Sequence, residues 1–161
     1  MQATHIVLKQ VTDTGLAADA RDLFREYAEA IGTDLEYQGF SAELAALPDP
    51  YVPPRGALYL AHVDEELAGC VALRPLHGQM GEMKRLYVRP AYRSLGLGRQ
   101  LVEAVIAAAR HAGFRELLLD TLPTMASAQS LYRRLGFVEI PPYNDKHLPG
   151  TRFYALALAD A

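Results

Sequence analysis

Glu82-Met83-Lys84-Arg85-Leu86-Tyr87-Val88-Arg89-Pro90-Ala91-Tyr92-Arg93-Ser94-Leu95-Gly96-Leu97-Gly98-Arg99 is the stretch from which the rest of the chain can be read. Its first half is a β-rich run. Pro90 ends that run, because proline has no N–H for a ladder and pushes Arg89 toward an extended conformation. Gly96 and Gly98 permit positive φ and remove the Cβ atoms that would hold an anion off the main chain. The amphipathic helix beginning near Leu97 leaves its first N–H groups unpaired and carries roughly half a positive charge at that end. Strand, glycine turn and helix N-terminus in this order make a phosphate seat, to which Arg93 and Arg99 add full charges.

A Gly-x-Gly pair alone also occurs in turns without a ligand, and the nucleotide motifs fit badly. No Gly-Lys-Ser or Gly-Lys-Thr follows, and the third glycine of a dinucleotide fingerprint would fall at Leu101. A better match exists. Arg93-x-x-Gly96-x-Gly98 after Leu86-Tyr87-Val88-Arg89-Pro90 resembles the acyl-CoA-binding motif of the GNAT superfamily of N-acetyltransferases. Ala128-x-x-Leu131-Tyr132-Arg133-Arg134-Leu135-Gly136-Phe137 is similar to that family's last helix and following strand. The resemblance is specific over residues 82 to 138 and rests on element order elsewhere.

It implies that acetyl-CoA is held along Leu86, Tyr87 and Val88. The pyrophosphate would sit on the backbone N–H groups of Ser94, Leu95, Gly96, Leu97, Gly98 and Arg99, with Arg93 nearby. A main-chain N–H polarises the thioester carbonyl in this family; Val88, just before the turn, is assigned that part, and such a donor is worth about 3 kcal/mol. The attacking amine must be neutral, and an alkylamine of pKa ~10.4 costs roughly 4 to 5 kcal/mol to deprotonate at neutral pH without a base. Glu82 is the leading base by resemblance, against the plain reading of a strand-end carboxylate. Asp120, at the end of the partner strand, is second. Tyr132 matches the family tyrosine that faces the cofactor sulfur, against the plain reading of a core tyrosine beside Leu131 and Leu135. In one respect the chain departs from the family: Met125 stands where an asparagine is frequent, so Ser127 or Thr124 would have to supply the polar contact.

Composition sets the outer bounds. The chain has 161 residues, half of them apolar and 22% charged, with a net charge of −3, which suits one globular domain over 1–161 and argues against a nucleic-acid binder. The single cysteine, Cys70, excludes an intrachain disulfide and lies in the apolar run Ala68–Leu73, where a buried structural thiol is expected. The five histidines lack zinc-ligand spacing, so no metal is expected. The stretch Met1–Lys9 lacks the apolar core of a signal peptide, and no run approaches the ~20 apolar residues of a membrane span. A cytoplasmic enzyme without a membrane partner is the default, with a homodimer left open.

Patterning gives the remaining elements. Residues 4–11 alternate as a strand, and 15–31 carry Leu16, Ala20, Leu23, Phe24, Tyr27 and Ile31 at helical spacing up to Gly32. Asp34 to Phe40 reads as a loop, and Ser41 as the N-cap of a short helix reaching about Leu47. Four prolines between Pro48 and Pro54 make an irregular connection. Strands are expected at 57–63, 67–76, 82–89, 115–120, 137–142 and 152–159, with a hairpin turn at Asp64-Glu65-Glu66 and helices at 97–112 and 124–135. The order βααβββαβαββ implies an α+β domain, a mixed sheet of about seven strands flanked by four helices. The GNAT resemblance adds that the two central parallel strands splay apart to admit the cofactor.

Three functions compete at this stage. The leading one is an N-acetyltransferase moving the acetyl group of acetyl-CoA to a primary amine of a small molecule or peptide by direct attack. Its rivals are a catalytically idle acyl-CoA-binding regulatory module, and a nucleic-acid binder using Lys84, Arg85, Arg89, Arg93 and Arg99. Tyr27, Glu36, Tyr37, His77, His147 and Arg152 are candidates for acceptor contact by location alone.

Overall fold

A computed structural model describes residues 4–158. The terminal residues read for a leader, 1–3, and the end of the last expected strand, 159, lie outside the described residues. The elements are β1 (Ile6–Gln10), α1 (Ala17–Ile31), α2 (Phe40–Ala46), β2 (Ala57–Val63), β3 (Glu66–Pro75), β4 (Met80–Val88), α3 (Leu97–His111), β5 (Glu116–Thr121), α4 (Ala126–Arg134), β6 (Val138–Ile140) and β7 (Arg152–Ala157). The strands form one sheet in the order β1-β2-β3-β4-β5-β7-β6. The fold class and element order read from the sequence are both found here.

Alternation divides the sheet into two apolar faces, because successive side chains point to opposite sides. Leu58, Leu60, Cys70, Ala72 and Tyr87 pack with Leu23 and Phe24 of α1. Ala57, Ala61, Val71, Leu73 and Met83 pack with Leu101, Val102 and Val105 of α3. Cys70 is fully buried, as its apolar run implies, and burial pushes its thiol well above the ordinary range. The β2–β3 turn is tight because Asp64 and Glu65 both adopt left-handed φ, 48° and 72°, which matches the twist of a two-residue hairpin.

Two local expectations are corrected. The segment read as a loop contains a 3₁₀ turn over Leu35–Gln38, capped by Asp34, whose Oδ1 accepts from the Glu36 N–H at 2.9 Å. Ser41 is not the N-cap of α2: Gly39 is, and Ser41 lies in the first turn, where its N–H donates to Glu36 Oε1 at 2.9 Å. Glu36, five residues upstream on the capped turn, reaches forward to accept from both the N–H and the hydroxyl of Ser41, so the Ser41 side chain is engaged outside the helix end.

The central pair positions the site. β4 and β5 run parallel, but their register covers only Met80↔Glu116, Gly81↔Leu117 and Glu82↔Leu118. Beyond that point β4 stays on β3 while β5 continues with β7 as far as Thr121↔Arg152. The expected splay therefore opens just after Glu82. A bulge helps: the β3–β4 register shifts between Cys70 and Ala72, and Arg85 has φ 62°, which sharpens the bend of β4.

Candidate active site

The gap between β4 and β5 continues into a groove with two compartments, of about 430 and 450 Å³, that share Leu86, Val88, Arg93, Ser127 and Ala128. The outer one is lined by Ser94, Gly96, Leu97, Gly98 and Arg99. Gly96 takes φ +79° as the N-cap of α3. A Cβ on Gly96 would meet nothing within 4 Å, and one on Gly98 only Leu131 Cδ2 at 3.5 Å. The turn is thus open on the side where a phosphate would approach. The first helical bond runs from Gln100 N–H to Gly96 O at 3.1 Å, so the amides of Leu97, Gly98 and Arg99 have no helical partner. Ser94, at φ 75°, holds the turn in a left-handed conformation.

The side chains around this turn divide. Arg93 Nε donates to Val88 O at 3.0 Å, across the mouth of the gap. Arg99 pairs with Glu103 at 3.5 Å on the exposed helix surface. Leu95 is 40% exposed and lines neither compartment. Arg134 of α4 does line the outer one. Its signal in the sequence is a cation directly after Arg133, two residues past Tyr132 in the same motif.

The backbone of β4 presents donors to the gap. Arg89 N–H donates to Ala68 O at 2.8 Å, toward β3. Strand amides alternate sides, so that of Val88 points away from β3, into the gap; Leu86 follows the bulge at Arg85 and has no β3 partner in the register. Leu86 also lines a small central chamber with Tyr132, which Val88 does not. Tyr87 faces the opposite side of the sheet, edge-on to Tyr27 at 6.4 Å between centroids.

The central chamber has room for about 30 Å³ and lies between the groove and a third cavity of about 560 Å³, sharing lining residues with each. Its wall includes Tyr132, whose ring packs on Phe137 and Tyr154 at 5.7 and 6.2 Å. Tyr132 is thus packed in the core and lines the chamber as well. Burial raises its phenol pKa, keeping the proton on. Asp120 and Lys84 line both the chamber and the third cavity. Burial raises the Asp120 carboxyl pKa against the opposing pull of Lys84, and burial lowers the Lys84 ammonium pKa against the pull of Glu82.

Glu82 stands at the fork itself and is 2% exposed, so the strand-end surface reading does not hold. Its Oε1 accepts from Arg74 Nε at 2.8 Å and pairs with the terminal nitrogen Nη2 at 2.7 Å; its Oε2 accepts from Tyr143 O–H at 2.6 Å. Tyr143 comes from the loop before β7, 61 residues away, and no local pattern announces that contact. A second ion pair stiffens the same wall: Arg85 donates to both oxygens of Glu43 at 3.0 and 2.7 Å, and Tyr51 O–H to Glu43 Oε2 at 2.8 Å. Of the acceptor candidates, Tyr27, Tyr37 and His147 line the chamber and Glu36 the third cavity, whereas Arg152 pairs with Glu139 at 3.7 Å on the outer strands. His77 lines none of these cavities. Among the described residues no group of three or more His, Cys, Asp or Glu side chains could hold a metal ion, and no helix is long and apolar enough to cross a membrane.

Comparison with known proteins agrees with this geometry. The sequence model of the acetyltransferase (GNAT) family matches residues 18–137. An uncharacterized N-acetyltransferase of Schizosaccharomyces pombe is 38% identical over 143 residues, covering 88% of each chain. The crystal structure of a GNAT-family acetyltransferase from Staphylococcus aureus superposes with a TM-score of 0.76 at 22% identity, covering 98% of this chain and all of that one. A Bacillus anthracis structure in complex with acetyl coenzyme A superposes at 0.58 and 22% identity over 66% of this chain and 65% of its own. With the split strand pair, the open glycine turn and a family match across both, the chain belongs to the GNAT family of acetyltransferases.

Proposed function

We propose that the protein transfers the acetyl group of acetyl-CoA to a primary amine by direct attack. The observation that carries this reading is the parting of β4 from β5 after Glu82 beside an unobstructed helix N-terminus. The Bacillus anthracis neighbour, bound to acetyl coenzyme A, supports the choice of donor.

The residues that would hold acetyl-CoA are the amides at the start of α3, Ser94, Arg93 and Arg134 for its phosphates, and Leu86 to Val88 with Thr124 and Ser127 for its arm. The group supplies an activated thioester. The main-chain N–H beside that thioester is assigned to Leu86, which reaches the chamber of Tyr132, and the Val88 N–H holds the arm. Tyr132 is the proton source for the leaving sulfur, and its rigid packing fixes where that proton is offered.

For the amine proton, Asp120 is the better-placed acceptor. It borders both the chamber and the third cavity, whereas Glu82 borders only the latter. Both Glu82 oxygens are already engaged, Oε1 by Arg74 and Oε2 by Tyr143. Glu82 then acts as the anchored floor of the fork, and Glu82→Gln is the comparison arm of any test of the base.

Two outcomes check these roles. Tyr132→Phe is expected to lower kcat by about 10²-fold, within the range of general acid catalysis, with the acetyl-CoA dissociation constant unchanged; full activity removes its role. Asp120 works deprotonated and its pKa is raised by burial, so kcat/KM should fall as pH falls, beginning above the ~3.9 of an ordinary aspartate. Asp120→Asn should abolish that acid limb together with most of the rate. A limb that persists in Asp120→Asn but vanishes in Glu82→Gln returns the role to Glu82. An idle binding module would instead show tight acetyl-CoA binding and no thiol release with any amine.

A further inference from the structure

We propose that the acetyl acceptor is a zwitterion, a primary amine that also bears a carboxylate, with Lys84 anchoring the acid and the Asp120 side of the central chamber receiving the amine. This rests on the acetyltransferase reading and names a substrate class for it.

The argument is an account of charges in the third cavity. Glu82 is matched by Arg74 and Tyr143, and Glu43 by Arg85 and Tyr51. Glu36 is turned onto Ser41. Asp145 and Lys146 line the cavity as well, but both are exposed; at the inner end this leaves one cation, Lys84, and one anion, Asp120. Each lines both the cavity and the chamber. Neither takes part in an ion pair within 4.0 Å among the described residues. Burial penalises both charged forms, as the directions of their pKa shifts show. A buried charge is retained where something matches it. Glu82 and Asp120 act on Lys84 through space without contacting it within 4.0 Å; a molecule with one charge of each sign supplies a direct partner to both Lys84 and Asp120, whereas a plain amine offers the Lys84 ammonium no counter-charge.

The chamber also favours the amine end of such a molecule. Gln38 Oε1, Thr121 Oγ1 and Thr151 Oγ1 all belong to its lining, are closed to solvent and have no hydrogen-bond partner among the described residues. Gln38 Nε2 donates to Tyr37 O–H at 3.2 Å, which turns its carbonyl oxygen the other way. An amide oxygen, two hydroxyls and a carboxylate suit a group rich in N–H donors. With room for only about 30 Å³, the chamber admits a small polar head; the rest of the acceptor occupies the larger cavity.

The test uses matched pairs, phenylalanine with phenethylamine and lysine with cadaverine, in a thiol-release assay with acetyl-CoA. Wild-type kcat/KM should be at least about tenfold higher for the acid of each pair, as expected for a charge-assisted hydrogen bond. Lys84→Met should bring that ratio toward one through the KM of the acid, and Lys84→Arg should restore most of it. Equal rates within the pairs, or a ratio that Lys84→Met does not move, overturns the proposal; Lys84→Gln serves if the methionine variant fails to fold. If acetyl-CoA binds but no acceptor is turned over, the transferase reading is the one that fails. Calorimetry of phenylalanine against the CoA-loaded protein then decides Lys84 separately. Binding that is lost in Lys84→Met and absent for phenethylamine supports the anchor, while no binding, or equal binding of both, overturns it.

Discussion

Gly98→Phe is expected to raise the acetyl-CoA dissociation constant by about 100-fold or more while the protein folds as well as before. The two effects separate because of where Gly98 sits. It is the second residue of α3, in helical rather than left-handed φ, and a Cβ there makes only an ordinary contact with Leu131. The backbone therefore accepts a side chain, and leaving glycine behind in a helix gains up to about 1 kcal/mol. The benzyl group, however, projects into the compartment lined by Ser94, Gly96 and Arg134, where the pyrophosphate would lie. Fluorescence or calorimetric titration gives the affinity, and thermal denaturation gives the stability. Unchanged affinity with unchanged melting removes the phosphate seat. Gly96→Phe is a different experiment, since φ +79° at that position adds backbone strain to any loss of binding.

The second large effect is on stability. Glu43→Ala should cost about 3–5 kcal/mol, because it leaves the Arg85 guanidinium buried without its counter-charge. The Arg85 side chain is 3% exposed and that of Glu43 10%, so water replaces little of what is lost. Arg85 also lies over the rings of Tyr27 and Phe40, at 5.7 and 5.4 Å, and thus joins α1, α2 and β4 at the bulge. For a chain of this size the loss corresponds to roughly 6–20 °C in Tm. Replacing both partners, Glu43→Ala with Arg85→Met, should recover a substantial part of it. The pH dependence has a definite sign. Burial works against the Glu43 carboxylate, but Arg85 and Tyr51 hold its folded pKa below the ordinary value. Its contribution is therefore complete above the unfolded pKa, near ~4.3, and is lost as pH falls through the lower, folded value. A Glu43→Gln variant that melts at the wild-type temperature near neutral pH contradicts this account.

These two positions differ in how far they could be read in advance. Gly98 announces itself: a proline-terminated strand, a glycine turn and an amphipathic helix are consecutive in the chain, and their meaning depends on φ preferences and orphan amides that a few residues settle among themselves. The same holds for the helix 97–112 and the strand 57–63, whose periodicities survive in the fold with at most one residue's change at an end. Tyr132 was legible through its neighbours, since Leu131 and Leu135 mark the packed face of α4 and the motif around them sets its rotation.

Glu43 could not be read this way. It sat in a short helix with no sign that Arg85, 42 residues on, would receive it. Tyr143 and its bond to Glu82 were equally hidden, as was the insertion of β7 between β5 and β6, which carries Thr151 and His147 to the chamber. Local propensity and spacing thus specified the strand, turn and helix that would receive a phosphate, because those features depend on backbone geometry within a few residues. Which carboxylate is tied up by partners and which is left without an ion pair among the described residues arose from chain segments distant in sequence, because burial and long-range hydrogen bonds exist only after the sheet has closed.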